Sequence, residues 1–269
     1  MQRYLIRRGA GIDGLSIETA APASLAPGEV RIRIHAAALN YRDLLVARGE
    51  MGSGEQRVPL SDAAGEVVEV GAGVTRVAVG DRVIPTFFPQ WIEGDPVGDA
   101  LGASLGGNVD GVLAGQVIAR EDAVVLAPSS LTWVEASTIA CAGVTAWHAL
   151  HALAPMQPGQ HVLVQGTGGV STWALQLARA MGLEVTVISG SPDKLARAKA
   201  LGAHHLIDYT ATPDWDAAVQ ALGGVDRVLD VGGADTIGRA IASTRPGGVV
   251  MTIGGVSGGF ALGIDPFAL

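Results

Sequence analysis

The chain has 269 residues, of which 48% are hydrophobic and 16% are charged, and its formal net charge at pH 7 is −8. This composition favours a well-packed globular protein over an intrinsically disordered chain. The acidic balance, without a long Lys/Arg run, argues against a nucleic-acid partner. The single cysteine, Cys141, excludes an intramolecular disulfide framework and a four-cysteine zinc lobe.

The N-terminal residues, MQRYLIRRGAGID, lack the apolar core of a signal peptide. No uninterrupted apolar run reaches the ~18 residues that a membrane span needs. We therefore expect a cytoplasmic protein that has no membrane partner. The length is sufficient for one large domain or for two of ordinary size.

The first 128 residues have the pattern of a β-rich domain. Residues 29–36 alternate polar and apolar side chains with period two, which is typical of a half-buried strand. Further strands are predicted over 66–70, 81–84 and 117–126. Residues 87–111 are predicted to form a long loop, and loops of that length are often functional.

From Leu131 onwards the pattern changes to alternating helices and strands. Thr132 and Glu135 form a capping box that predicts the start of a helix. The next helix is predicted over 145–153, and later helices over 170–181, 192–201, 213–222 and 235–243. Strands are predicted over 161–165, 184–189, 205–207, 226–231 and 248–254. This alternation predicts a doubly wound parallel sheet, which is typical of nucleotide-binding domains.

Two of the predicted helices begin at a proline. Ser191-Pro192 and Thr212-Pro213 each place a capping residue before a proline at the first helical position. We therefore expect Ser191 and Thr212 to be N-cap residues.

The first strand–helix unit of this half contains a glycine-rich turn, Gly166-Thr167-Gly168-Gly169-Val170-Ser171. Glycine at 166 allows a tight turn, and glycine at 168 allows the backbone to approach a pyrophosphate. The helix that follows offers N–H groups and the positive end of its dipole to a phosphate. Ser171 replaces the third glycine of the dinucleotide pattern, and it is small enough for close packing of the helix on the strand. The turn therefore predicts a dinucleotide-binding site.

Five segments resemble motifs of the medium-chain dehydrogenase/reductase family. They are Gly65-Glu66-Val67-Val68-Glu69-Val70-Gly71-Ala72-Gly73-Val74, Val79-Gly80-Asp81-Arg82-Val83, Asn40-Tyr41-Arg42-Asp43, Cys141-Ala142-Gly143-Val144-Thr145-Ala146-Trp147 and the glycine turn. The resemblance covers essentially the whole chain. It implies an α/β fold, in which a β-rich GroES-like catalytic domain (1–128) precedes a Rossmann dinucleotide-binding domain (129–269). The subgroup resembled most is the zinc-independent, quinone-oxidoreductase-like one, although many relatives are alcohol dehydrogenases.

The resemblance also predicts that no zinc is bound. Zinc-dependent members hold their catalytic metal through a cysteine, a histidine and a second cysteine or an acidic residue, and these positions are Asn40, Ser61 and Cys141 here. One ligand remains, whereas a catalytic zinc needs three protein ligands. The region of the structural-zinc lobe, 87–111, contains no cysteine. We interpret Cys141 as a small buried thiol.

The end of the second parallel strand favours NADP(H) over NAD(H). An NAD-specific site has an acidic residue about 20 residues after the glycine turn, whereas this strand ends at Ser189 without one. In the resembled subgroup, Ser, Lys and Tyr side chains hold the 2′-phosphate of NADP. This implies the same role for Ser189, Ser191, Lys194 and Tyr209, since a phosphate favours cations and hydroxyl donors. The alternative is that Lys194 and Arg197 lie on a solvated helix face.

Hydride transfer is the chemistry of the cofactor, and the protein supplies positioning and electrostatic stabilisation. A conjugated ketone or quinone needs only hydrogen-bond donors for its developing enolate, whereas a simple carbonyl benefits from a Lewis acid. The family's nicotinamide pocket implies that Asn40, Tyr41, Asp43 and Thr145 line the site. Tyr41 would donate to the enolate, and Asn40 would bond the carboxamide or a substrate oxygen. The alternatives are structural: a turn for Asn40, a helix cap for Asp43 and an N-cap for Thr145.

Two other segments are candidates for the site. Gly254 and Val256, after the fifth strand, predict a backbone that passes close to the nicotinamide, and the alternative is a simple strand-exit turn. Phe87, Phe88 and Trp91 either cover the substrate or only pack the long loop. Relatives continue past the fifth strand, whereas this sequence ends at Leu269. We therefore expect a truncated chain in which the homodimer interface usual in the family is incomplete.

Three hypotheses follow for a small-molecule substrate. The first is an NADP(H)-dependent, zinc-independent oxidoreductase that transfers hydride to small enones, quinones or related activated carbonyl compounds. The second is a metal-independent alcohol dehydrogenase or carbonyl reductase. The third, from another class, is a non-catalytic NADP(H)-binding protein or an inactive truncated relative.

Overall fold

The computed structural model describes residues 1–21, 23–96, 98 and 100–259. The predicted truncated end at Leu269 lies outside them. The chain divides into two compact units, Met1–Cys141 and Ala142–Leu269, each described by itself below. Within the described ranges, no helix combines the length and apolar character that a membrane crossing requires.

The first unit is built mainly from strands. They are β1 (Gln2–Arg7), β2 (Leu15–Thr19), β3 (Glu29–Ala38), β4 (Gln56–Arg57), β5 (Asp62–Val70), β6 (Arg82–Pro85), β7 (Gln116–Arg120) and β8 (Val124–Leu126). One sheet has the order β7-β3-β5-β6-β8 and is antiparallel, and a smaller sheet has the order β2-β1-β4. The core of the larger sheet is formed by Val30, Ile32, Val67, Val83 and Val124. Val30 and Ile32 are alternate residues of β3, as the period-two pattern predicts.

The strands predicted over 29–36, 66–70 and 81–84 are confirmed, and β5 begins earlier than predicted, at Asp62. The single strand predicted over 117–126 is wrong. A 3₁₀ turn, Glu121–Ala123, interrupts it and lets the chain change its pairing partner from β3 to β6. The smaller sheet was not predicted. The described residues of 87–111 form a loop with one 3₁₀ turn, Ala100–Gly102.

Two short helices complete the first unit. Helix α1 (Tyr41–Ala47) follows Asn40, and helix α2 (Trp133–Ala136) begins at the predicted capping box. The Thr132 N–H donates to Glu135 Oε2 over 2.8 Å, and the Glu135 N–H donates to Thr132 Oγ1 over 3.2 Å. Because α2 packs on β3 and β5, the compact unit extends to Cys141, whereas the domain boundary was predicted after residue 128.

The second unit is a five-stranded parallel sheet with helices on both faces. Its elements are α3 (Val144–His151), β9 (His161–Gln165), α4 (Gly169–Ala180), β10 (Glu184–Ser189), α5 (Pro192–Ala200), β11 (His205–Asp208), α6 (Trp215–Ala221), β12 (Val225–Asp230), α7 (Ile237–Ala242) and β13 (Thr244–Thr252). The strand order is β11-β10-β9-β12-β13. Val162 and Val164 of β9 pack in one core cluster with α3, α4 and α5, and Leu163 packs in another with α6 and α7. The predicted doubly wound Rossmann fold is confirmed.

The predicted strands and helices of this unit are confirmed with small changes at their ends, the largest being that β13 begins at Thr244. Ser191 is the N-cap of α5, with Pro192 at its first position. The prediction for Thr212 is wrong, because α6 begins at Trp215 after Asp214. The Thr212 N–H donates to Asp208 O over 2.8 Å, which holds Thr212 in the turn after β11. Thr145 is not an N-cap either, since α3 begins at Val144.

Candidate cofactor and active site

The glycine turn has the geometry of a phosphate cradle. Gly166 has a φ of 70°, a left-handed conformation that favours glycine, and its N–H donates to Ile188 O over 2.8 Å. No heavy atom lies within 4 Å of where a Cβ on Gly168 would be, so the space above this residue is open. Helix α4 begins at Gly169 without a side-chain cap, which leaves its first N–H groups to a ligand or to water. Val170 packs its side chain on the core.

Ser171 has a definite structural role at the third glycine position. Its side chain is buried, and its hydroxyl donates to Gln165 O over 2.7 Å. This hydrogen bond joins the first turn of α4 to the end of β9. A serine therefore allows the close helix–strand approach and also satisfies a buried carbonyl.

The glycine turn, the start of α4 and helix α5 line a cavity of about 210 Å³. The residues lining it are Gly166, Thr167, Ser171, Thr172, Leu175, Val187, Lys194, Arg197, Ala198 and Leu201. Lys194 and Arg197 are exposed. In the described part of the chain, neither forms an ion pair with a carboxylate. The cavity therefore combines an open glycine turn with two uncompensated positive charges.

Three of the predicted 2′-phosphate contacts lie at the ends of β10 and β11. Ser189 is buried and its carbonyl accepts the Tyr209 N–H over 3.4 Å. Ser191 Oγ accepts the Lys194 N–H over 3.5 Å, so its own O–H remains a donor. Tyr209 is exposed, and its ring lies against Gly190. The structure thus brings Ser189, Ser191 and Tyr209 to one edge of the sheet.

The exits of β12 and β13 are joined by backbone hydrogen bonds. Val256 N–H donates to Val231 O over 3.2 Å, and Ser257 N–H donates to Gly232 O over 2.7 Å. A Cβ on Gly254 would lie 2.8 Å from Val231 O, so this approach requires glycine. The alternative of a strand-exit turn therefore has a structural basis, and a contact of Gly254 or Val256 with nicotinamide stays a prediction.

The last residue of β12 is a buried aspartate, Asp230, that was not predicted from the sequence. Asp230 is fully buried and accepts hydrogen bonds from the Thr236 hydroxyl and the Gly233 N–H. Burial raises the pKa of its carboxyl above the usual value. Its contacts hold the turn after β12, so we assign it a structural role.

In the first unit, Asn40 lies between two carboxylates. Its side-chain Nδ2 donates to Asp62 Oδ2 over 3.0 Å, and its backbone N–H donates to Asp43 Oδ2 over 2.8 Å. Asp62 also accepts from Ser61 Oγ over 3.0 Å and from the Cys141 N–H over 3.1 Å. The predicted pair Asn40 and Asp43 is therefore in contact as the capping box of α1, which is the helix-cap alternative given for Asp43. The contact with Asp62 was not predicted.

Burial controls the ionisation of this cluster. It raises the pKa of Asp43 to about 6, against the lowering effects of the Asn40 N–H and the Arg42 guanidinium. It also raises the pKa of Asp62, although three donors favour its charged form. The pKa of the Cys141 thiol is raised to about 12 by burial and then by the charge of Asp62. Cys141 is half-buried, where a small buried thiol was predicted, and its thiol is neutral at pH 7.

Arg42 connects α1 with the long loop. Its guanidinium donates to Leu105 O over 3.0 Å and to Ser104 Oγ over 3.3 Å, and it lies 4.7 Å from the ring centre of Phe87. Phe87 contacts Phe88, with 4.6 Å between ring centres, and Phe88 lies 6.3 Å from Trp91. These aromatic side chains thus form a row in the loop beside α1, and a role as substrate cover stays a prediction.

The two remaining predicted residues differ in position. Tyr41 is the first residue of α1 and is exposed. Thr145 lies in α3 of the second unit. Its participation in a site with Asn40, Tyr41 and Asp43 stays a prediction.

Two family models match the chain. The alcohol dehydrogenase GroES-like domain matches residues 26–129, and the zinc-binding dehydrogenase model matches residues 169–269. The zinc-type alcohol dehydrogenase-like protein C1773.06c of Schizosaccharomyces pombe is 42% identical over 264 residues, which cover 95% of this chain and 76% of that protein. The chain is a medium-chain dehydrogenase/reductase. The family resemblance predicted from the motifs is confirmed.

Solved structures of this family have the same fold. The quinone oxidoreductase of Pseudomonas syringae pv. Tomato DC3000 is 27% identical with a TM-score of 0.82, over 98% of this chain and 76% of its own. Mycobacterial Rv1454c, solved in complex with NADPH, is 26% identical with a TM-score of 0.81, over 99% and 77%. As a medium-chain dehydrogenase/reductase with such relatives, the protein is an oxidoreductase. The alternative of a non-catalytic binding protein is not supported.

Proposed function

We propose that this medium-chain dehydrogenase/reductase is an NADP(H)-dependent, zinc-independent reductase of small enones, quinones or related activated carbonyl compounds. The observation that carries the proposal is the cavity in which the glycine turn meets Lys194 and Arg197. A pyrophosphate suits the open turn and the N-terminus of α4. A 2′-phosphate suits these two cations, because no carboxylate among the described residues forms an ion pair with either.

Three further features support NADP(H). Strand β10 ends at Ser189 without the carboxylate that an NAD-specific site uses for the ribose hydroxyls. The hydroxyls of Ser191 and Tyr209 lie beside this strand end and can donate to a phosphate. The similar protein Rv1454c was solved in complex with NADPH.

Zinc independence rests on the donor set at the family's metal position. The Asn40 amide and the Ser61 hydroxyl are neutral groups that both donate to Asp62, so Cys141 is the one member of this set that is of a type that zinc binds. Zinc requires thiolate, imidazole or carboxylate ligands with free lone pairs. These three side chains therefore do not fit a catalytic zinc.

The chemistry follows from the remaining groups. When bound, NADPH supplies a hydride to the electron-poor carbon of the acceptor. Asn40 and Tyr41 are the proposed hydrogen-bond partners of the acceptor, where charge develops on oxygen. Such donors are sufficient for a conjugated acceptor, whose negative charge is delocalised as an enolate.

Fluorescence titration with NADPH and NADH tests the cofactor assignment. We expect tighter binding of NADPH, and Lys194→Ala or Arg197→Ala should each raise its Kd about tenfold, while the Kd for NADH changes little. Lys199→Ala is the matched control, because Lys199 is an exposed cation of α5 outside the cavity. Tighter binding of NADH, or equal losses for both cofactors, would overturn the assignment.

An alcohol dehydrogenase or carbonyl reductase is the second candidate. It is favoured by the printed name of the S. pombe relative, a zinc-type alcohol dehydrogenase-like protein. Oxidation of NADPH across a panel of enones, quinones and aldehydes separates the two. Turnover of simple aldehydes without turnover of any conjugated acceptor would favour this candidate over ours.

A further inference from the structure

The carboxylate of Asp62 is buried at the start of β5, and among the described residues it forms no ion pair, although the charge of Arg42 favours its ionised form. Its exposed fraction is 0%, and the ion pair of the neighbouring Arg42 is made with Asp43 instead. Burial of a charge without an ion pair is costly, and an apolar residue would be the stable choice at a core position. The cost is offset by the hydrogen bonds that Asp62 accepts, so the reason for a carboxylate lies in the groups that it holds.

The hydrogen bonds of Asp62 join three segments around Asn40. Oδ2 accepts from the side chain of Asn40 and from the Cys141 N–H, and Oδ1 accepts from the hydroxyl of Ser61. Cys141 lies in a π-helical turn, Ile139–Gly143, a local irregularity that is frequent at functional sites. All three donors thus converge on one carboxylate.

This arrangement fixes the orientation of the Asn40 amide. If the amide rotated by half a turn, its carbonyl oxygen would face the Asp62 carboxylate and two acceptors would repel each other. The backbone of the same residue is held by Asp43. Asp62 therefore orients the side-chain amide of Asn40 while Asp43 holds its backbone, and the remaining amide N–H and the carbonyl oxygen keep fixed directions.

We propose that Asp62 is a positioning residue, which orients the Asn40 amide for hydrogen bonding to the acceptor during reduction. This inference rests on the proposed function. The preorganised amide avoids the cost of reorientation as negative charge develops on the acceptor. Asp62 itself contacts Asn40 and not the acceptor.

A double-mutant cycle with Asp62→Asn and Asn40→Ala tests the inference. Asp62→Asn retains the shape but removes the charge that selects one amide orientation. We expect kcat for a conjugated acceptor to fall about tenfold to a hundredfold, with an unchanged Kd for NADPH. In the Asn40→Ala background, Asp62→Asn should cause no further loss, because the group that it orients is absent. Equal losses in both backgrounds, or no loss in either, would overturn the proposal.

Ser61→Ala is the matched control. It removes a donor to Oδ1 and leaves the Asn40 bond to Oδ2 in place. A purely structural role of Asp62 predicts parallel effects of Ser61→Ala and Asp62→Asn on kcat, whereas positioning predicts a small effect of Ser61→Ala. Parallel effects would therefore contradict the proposal.

If Asp62→Asn does not fold, hydrogen exchange of the Asn40 amide measured by NMR in the wild type tests the inference instead. In the wild-type protein labelled with ¹⁵N-asparagine, and with Asn40→Ala for assignment, one side-chain N–H of Asn40 should be protected from exchange. Two rapidly exchanging N–H signals would overturn the inference. If this protection is present but no enone or quinone is reduced, the proposed function fails while the Asp62–Asn40 interaction stands.

Discussion

The ring of Tyr209 lies directly over the backbone of Gly190. A Cβ on Gly190 would be 2.7 Å from two ring carbons and 2.8 Å from the hydroxyl oxygen of Tyr209. Glycine at this position therefore allows Tyr209 to reach the end of β10. Because Gly190 precedes the capping residue Ser191, a larger side chain would disturb the proposed 2′-phosphate site.

Gly190→Ala is expected to displace Tyr209 and to raise the Kd for NADPH about tenfold, as the loss of one charge-assisted hydrogen bond would. The Kd for NADH should change little. Gly238→Ala is the control, since no heavy atom lies within 4 Å of its Cβ position. An unchanged affinity for NADPH in Gly190→Ala would exclude Tyr209 from the phosphate site.

The carboxyl of Asp43 should make the free energy of unfolding depend on pH. Its pKa is raised from 3.8 to about 6 by burial, so the folded protein binds a proton that the unfolded chain has already lost. Stability from this group is therefore present below about pH 4 and is lost as the pH rises to about 6. The free energy of unfolding falls by about 3 kcal/mol between these pH values, at ~1.4 kcal/mol per pKa unit.

Urea unfolding of the wild type and of Asp43→Asn between pH 4 and pH 7 measures this effect. As the pH rises over this range, the free energy of unfolding of the variant should increase by up to about 3 kcal/mol relative to that of the wild type, because the side chain of the variant does not ionise. Two parallel pH profiles would show that Asp43 has an ordinary pKa.

Arg42→Ala should loosen the loop that follows Pro85. The variant loses the hydrogen bonds to Leu105 O and Ser104 Oγ. We expect faster proteolysis within residues 87–105 and a higher KM for the acceptor, with an unchanged Kd for NADPH. Arg48→Ala is the control, because Arg48 is exposed at the other end of α1. Equal rates of proteolysis in both variants would show that Arg42 does not hold the loop in place.

Ser171→Ala should destabilise the second unit by about 1–2 kcal/mol, because the carbonyl of Gln165 loses its buried donor. Thr172→Ala removes a hydroxyl that donates to helix carbonyls, Gly168 O and Gly169 O, and should have a smaller effect. Thermal unfolding of both variants measures the difference. Equal losses of stability in the two variants would show that the hydrogen bond from Ser171 to Gln165 O contributes no more than those of Thr172.

Strands and helix starts that depend on neighbouring residues were predicted from local sequence patterns. The alternation over 29–36 predicted β3, and the Ser191-Pro192 pair predicted the start of α5. The similar Thr212-Pro213 pair failed, since a backbone hydrogen bond from Thr212 to Asp208 holds it outside the helix. The same local motif thus has two outcomes, which contacts outside the motif decide.

The site was predictable only in part. The glycine turn and Asn40 belong to contiguous motifs, whereas the role of Asp62 arises from contacts with residues 22 and 79 positions away in the chain. No local periodicity indicates such contacts. The one signal was its position directly after Ser61, which the family resemblance had placed at a metal-ligand position.

The central claim is that the protein reduces conjugated acceptors with NADPH and without zinc. Its most direct test is the initial rate of NADPH and NADH oxidation with an added enone or quinone, in the presence and absence of a zinc chelator. We expect acceptor-dependent oxidation that is faster with NADPH than with NADH and insensitive to the chelator. No acceptor-dependent oxidation, a preference for NADH, or loss of activity with the chelator would contradict it.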